Sequence, residues 1–189
     1  MTTHIRHARP RAPGLLLVAG VAAAALAAGL VGCVPASVGP TFPPVGSSPV
    51  PAGALTAGAR SQVEAALAVE GLQLDEAKTA YRPAEGPIFA AAPRTVIQAV
   101  LPDDPDEGYI VLYAFGTPGQ ALAGAQDQGR YIASGPGRVL FPLGTQFSLR
   151  VLGNIAIFFT WSPDTSTDTR TASIALALSQ IGDEVPIPA

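Results

Sequence analysis

After position 7 the 189-residue chain has no histidine, after position 33 no cysteine, and Lys78 is its only lysine. Each absence removes a class of chemistry. A Ser-His-Asp triad, a Cys-His dyad and a zinc site built on imidazole or thiolate need side chains that residues 34–189 do not contain. Lys78 is the one amine for a Ser–Lys dyad, and it follows Asp75 and Glu76 on an expected exposed strand. A single cysteine cannot form an intrachain disulfide. Charge is scarce too, at 13% Asp, Glu, Lys and Arg. Three of the eleven basic residues (Arg6, Arg9, Arg11) and none of the fourteen acids precede Cys33, so the remainder carries a formal charge of −6. Such a chain has no basic patch to neutralise phosphates, which argues against nucleic acid as a partner. The glycine-rich stretches 116–124 and 135–137 follow neither GxxxxGK[ST] nor GxGxxG, so no phosphate cradle and no cofactor is expected.

What is present begins with an address. Residues 1–13 are basic, and residues 14–32 (GLLLVAGVAAAALAAGLVG) have no polar side chain. A basic region, an apolar run and small residues in that order make an export signal, with the basic end kept in the cytoplasm. The run ends in Leu30-Val31-Gly32-Cys33, which resembles the lipobox of bacterial lipoproteins. That resemblance implies cleavage between Gly32 and Cys33 and loss of residues 1–32. It also implies diacylglyceryl and N-acyl modification of Cys33. The chain is then held on the extracytoplasmic side of the cell membrane or outer membrane, because two or three acyl chains anchor stably where one does not. The competing reading is an uncleaved span, since 19 apolar residues approach the ~20 needed to cross a bilayer.

Residues 33–54 read as a tether. From Cys33 to Ala59 there is no charged residue, and Pro35, Pro40, Pro43, Pro44, Pro49 and Pro51 alternate with small residues. Such a run prefers extended polyproline geometry, and twenty residues at ~3.1 Å each hold a domain up to ~60 Å from the lipid. The other reading is a proline-rich ligand for a partner's groove.

Residues 55–185 are expected to form one α+β domain, followed by a tail, 186–189. Periodicity and turn chemistry predict a helix over 56–70 stopped by Gly71, an edge strand within 72–80 and a helical turn at 88–92. A hairpin of 94–101 and 108–115 follows, with a polar tip between its strands. Thr117-Pro118-Gly119-Gln120 has the pattern of a capping box opening a helix to about Ala133, with Leu122, Ala125 and Ile132 inward. Residues 138–141 read as extended. Residues 146–152 and 155–161 form a second hairpin about Gly153-Asn154, its second strand apolar on both faces and hence central. A last helix spans 165–181. The expected fold is a two-layer sandwich, a mostly antiparallel sheet of four to six strands with two or three helices packed on it. Phe115-Gly116-Thr117-Pro118 and Trp161-Ser162-Pro163-Asp164 occupy matching places and invite comparison as a duplication.

Two groups of residues are candidates for a site. Asp103, Asp104, Asp106 and Glu107 crowd one loop, where hard oxygens suit Ca²⁺ or a general-acid pair, and where Asp and Pro also make ordinary solvated turns. Tyr109, Tyr113 and Trp161 end or line strands; exposed they would stack on sugar or peptide, covered they are core. Together these observations predict a non-enzymatic, lipid-anchored envelope protein whose domain binds an envelope protein or glycan. The alternative is a carboxylate-dependent hydrolase of envelope glycans, which needs two acids facing one cleft.

Overall fold

The computed structural model describes residues 51–188. In chain order these form α1 (Ala52–Val69), β1 (Leu74–Glu76), α2 (Pro87–Ala91), β2 (Arg94–Ala99), β3 (Tyr109–Ala114) and α3 (Pro118–Ala133). Then come α4 (Gly135–Arg138), β4 (Gln146–Leu152), β5 (Ile155–Trp161), α5 (Thr171–Ser179) and β6 (Asp183–Glu184). The export signal with Gly32, the acylation site Cys33 and the tether up to residue 50 lie outside the described residues.

Local chemistry fixes the two hairpins. Gly153 has φ +58°, the left-handed value that a two-residue hairpin turn requires, and it joins β4 to β5 in register from Gln146↔Trp161 to Leu152↔Ile155. β2 and β3 pair through Gln98↔Tyr109 to Arg94↔Tyr113. The hairpins meet where β3 pairs with β5, and the short strands β1 and β6 close the outer edges. The order β1-β2-β3-β5-β4-β6 is antiparallel throughout and puts β5 at the centre, as its two apolar faces predict.

Alternation divides the sheet side chains between two cores. Ile97, Ile110, Leu112, Ile157 and Phe159 meet Val63 and Leu67 of α1 and Ile174 and Leu178 of α5. Their neighbours Val111, Tyr113, Leu149, Ala156 and Phe158 meet Phe89 of α2 and Ala121, Ala125 and Ile132 of α3. The expected α+β sandwich is therefore the one that forms, and its second face carries a helix layer of its own. This arrangement leaves the two hairpin–helix halves without a common two-fold axis. A two-fold relating the antiparallel neighbours β3 and β5 runs perpendicular to the sheet and keeps both following helices on one face, whereas α3 and α5 lie on opposite faces.

Several details differ from the sequence reading. α1 starts at Ala52, so the domain begins three residues inside the expected tether. In α3 the buried residues are Ala121, Gly124, Ala125, Gln128, Gly129 and Ile132, while Leu122 faces solvent. Small residues win that face because the helix packs close: a Cβ on Gly124 would stand 2.8 Å from the Phe115 ring. Residues 138–141 are not extended, since Ser134 Oγ accepts from Gly137 N and starts the short turn α4. The expected tail, 186–189, does not hang free, since Ile187 packs on the α2/α3 side, and just before it the unforeseen strand β6 pairs with β4.

Candidate functional site

The acidic tip of the first hairpin is clamped rather than open. Gln98, buried beneath it, donates from Nε2 to the carbonyls of Pro105 (2.8 Å) and Glu107 (2.9 Å). From outside, the segment between β5 and α5 closes on it. Ser166 Oγ and the Thr167 backbone N–H donate to the Asp104 carboxylate at 3.2 and 3.1 Å, and Thr167 Oγ1 donates to the Asp103 carbonyl at 2.6 Å. The buried Asp168 accepts from the Asp103 N–H at 3.2 Å and from the Arg170 guanidinium at 2.9 and 2.5 Å. Those Arg170 bonds, with the backbone N–H groups of Arg170 and Asp103, hold its carboxyl down at about 2. The clamp explains why the last helix begins at Thr171 and not at Thr165: the side chains of residues 166–168 bond to the tip and to local backbone instead of joining a helix.

The carboxylates of the tip do not assemble a cation site. Among the described residues no three His, Cys, Asp or Glu side chains are grouped to hold a metal ion. Asp104 is taken by Ser166 and Thr167, as above. Glu107 turns toward a cleft; partial burial, then the charges of Asp104 and Asp106, push its carboxyl up.

The aromatic candidates separate. Tyr113 is fully buried, its ring 4.2 Å from Phe89 and its hydroxyl donating to Glu85 Oε1 at 2.7 Å; burial and then that bond push the phenol far up. Tyr109 is also covered, hydrogen-bonded to Thr79 Oγ1 at 2.6 Å. Trp161 stacks on Phe159 at 5.2 Å and leans toward the α1/α5 core. Tyr109 and Tyr113 are therefore core and not a stacking platform. Trp161 also lines a cleft that it shares with Phe141 and with Tyr81, an aromatic the sequence did not single out, stacked on Tyr109 at 4.5 Å and 10° between ring planes. The Tyr81 phenol is raised, by burial first and by Glu107 after that.

Residues 79–93 place Tyr81 there, a stretch without regular structure except the turn α2. Its backbone is fixed by side chains: Gln128 accepts from the Gly86 N–H at 2.7 Å and donates to the Ala84 carbonyl at 3.0 Å. Glu85 is buried and held by Arg82 at 2.7 Å, by Arg94 at 3.5 Å and by the Tyr113 hydroxyl. Between this stretch, Glu107, residues 140–145 and residues 160–165 lies a cleft of about 260 Å³. Ser162 lines it with an Oγ that is buried and has no hydrogen-bond partner among the described residues.

The rim of the cleft is the most apolar exposed segment of the domain. Val139 is 79% exposed, Leu140 58% and Leu143 92%. Phe141 turns inward instead and packs edge-on against Phe147 at 4.9 Å. The sequence carried this signal as the run Val139-Leu140-Phe141-Pro142-Leu143, which resembles a buried strand because composition does not tell a covered run from an exposed one. Other grooves are present, among them two that are larger than this cleft and lined mostly by sheet or helix residues. One of about 350 Å³ follows β4 past Trp161 and Glu184, and one of about 440 Å³ lies between Ile88, Pro93, Phe115 and Gly124. None of the three is lined by two carboxylates. No protein-family model matches the chain, and neither a curated protein nor a solved structure matches it.

Proposed function

We propose that the chain is a lipid-anchored cell-envelope protein whose α+β domain is a binding module on the extracytoplasmic side. The anchor rests on Leu30-Val31-Gly32-Cys33 behind its apolar run. The observation that carries the binding role is the exposure of Val139, Leu140 and Leu143 within five residues, beside a cleft. Exposing apolar side chains together costs solubility, and contiguous apolar patches with a polar rim mark interaction sites. The glycan-hydrolase alternative has one observation in its favour, the upward shift of Glu107, and one against it, the lack of a second carboxylate lining that cleft. Hydrolysis of purified cell-wall glycan that Glu107→Gln abolishes would decide for the enzyme.

Two measurements test the proposal. Mass spectrometry of the membrane-extracted protein should find acylated Cys33 as the first residue, and an uncleaved or unacylated product defeats the anchor. A photocrosslinker at Leu143 should trap a discrete product in intact envelopes, while the same group at Val69, 82% exposed at the end of α1, should not. Equal trapping at both positions defeats the binding module.

A further inference from the structure

Charge distinguishes the cleft beside the 139–143 loop from the other grooves. Among the described residues, none of Asp104, Asp106, Glu107 and Asp164 forms an ion pair. The sequence has no Lys or Arg from Thr95 to Gly129, so the hairpin tip supplies no counter-charge of its own. The cation lining the cleft, Arg82, is held by the buried Glu85. Asp164 lies against Gly144, at the end of the loop. Negative charge without an ion-pair partner thus stands beside the exposed apolar residues, at Glu107 in the cleft and at Asp164 against Gly144, and the like charges of Asp104 and Asp106 act on Glu107. A cation entering the cleft relieves that repulsion. The Tyr81 ring, fixed by its stack on Tyr109, offers such a cation an aromatic face, and Leu140 and Phe141 offer its methylene stem an apolar wall.

We infer that the occupant of this surface is a basic amphipathic segment of an envelope protein. This rests on the binding-module reading. A Lys or Arg side chain of that segment enters the cleft toward Glu107, and its apolar neighbours cover Leu140 and Leu143. The formal charge of −6 on residues 33–189 draws a basic partner in from a distance.

The test uses the full acylated chain in phosphatidylcholine nanodiscs, and as probes a short peptide alternating Lys and Leu and its Glu/Leu counterpart. Trp161, the single tryptophan and a neighbour of the cleft, reports binding by fluorescence. The Lys/Leu peptide should bind and weaken as salt rises, and the Glu/Leu peptide should not bind. Glu107→Gln and Leu143→Ser should each weaken binding roughly threefold to tenfold, the range expected for one charge or one apolar contact at a rim. Binding of both peptides alike, or binding that neither substitution changes, overturns the inference. A fluorophore on Leu143→Cys that enters phosphatidylglycerol nanodiscs without peptide would give the surface to the bilayer. Dimerisation lost in Leu143→Ser would give it to a second copy, and either result overturns the basic segment. If the Lys/Leu peptide fails while the crosslink at position 143 persists, the chemistry assigned to the occupant is wrong and the binding module stands. Loss of both removes the module.

Discussion

The two faces of the sheet close by different means. Against α1 and α5 the sheet presents Ile97, Ile110, Leu112, Ile157 and Phe159, and the helices answer with Val63, Leu67, Ile174 and Leu178. Buried polar groups on this side are locally satisfied: Arg150 donates to the carbonyls of Ile181 and Gly182 at 2.6 and 2.8 Å, just past the end of α5, and Thr56 of α1 bonds to Thr95 at 2.8 Å. Against α2 and α3 the covering is partly a coil, and a coil brings backbone groups with no helix or strand to satisfy them. Gln128 satisfies two of them, at Gly86 and Ala84, and side-chain bonds of Glu85 with Arg82, Arg94 and Tyr113, and of Tyr109 with Thr79, pin the coil to the sheet. Both faces bury a core, the α1/α5 face mainly by apolar packing and the α2/α3 face with polar stitching that also sets the shape of the cleft.

That contrast breaks most visibly under truncation on the apolar face. Leu67→Ala removes a side chain with no exposed surface, for an expected loss of roughly 2–5 kcal/mol in denaturant unfolding. Folded Leu67→Ala should keep peptide binding, because α1 does not line the cleft. On the other face Gln128→Ala strands the Gly86 N–H and the Ala84 carbonyl, at a cost of roughly 1–3 kcal/mol. Here the second readout matters more than the first. Amide exchange at residues 81–86 should accelerate well before global unfolding, and binding should fall with it. If Gln128→Ala and Leu67→Ala reduce binding only in proportion to stability, the division of labour between the faces is wrong.

The faces were also unequally legible. The Gly153 hairpin and the Thr117-Pro118 cap were legible in advance, since in each the deciding interaction joins residues within a few positions, such as the Gln120 N–H with Thr117 Oγ1 at 3.2 Å. The central place of β5 was legible for the same reason, since its residues are apolar on both faces. Tyr81 could not be found that way, because its position depends on Gln128 and Tyr109, distant in sequence. Leu122 was misplaced because hydrophobicity predicts inward, while the close approach of Gly124 to Phe115 leaves room only for small residues. Among the acids, the sequence named the loop and the structure divided it: Asp104 is spent on the clamp and Glu107 is left to the cleft.

The clamp itself titrates, with a smaller effect than either truncation. Asp168 is held below its unfolded value, so its contribution is fully present above the ordinary carboxylate range and is lost as pH falls through about 2. Wild type should therefore lose stability between pH 5 and pH 2 more steeply than Asp168→Asn does, and parallel curves would remove the clamp from the account.

The smallest effect on stability is expected where the effect on binding is largest. Leu143 is 92% exposed, so Leu143→Ser gives up almost no buried surface, and unfolding should shift by no more than ~0.5 kcal/mol. Glu107 is raised in the folded state, meaning that its charged form is disfavoured there, so Glu107→Gln at neutral pH should leave stability unchanged or increase it slightly. A residue selected for folding alone would not combine an exposed leucine with an uncompensated carboxylate at the mouth of one cleft, because both are unfavourable to the isolated domain. A partner that covers the leucine and pairs the carboxylate makes both favourable at once. The double substitution should accordingly be at least as stable as wild type and the weakest binder of the set, and a double variant that unfolds early would return both residues to the structural side of the comparison.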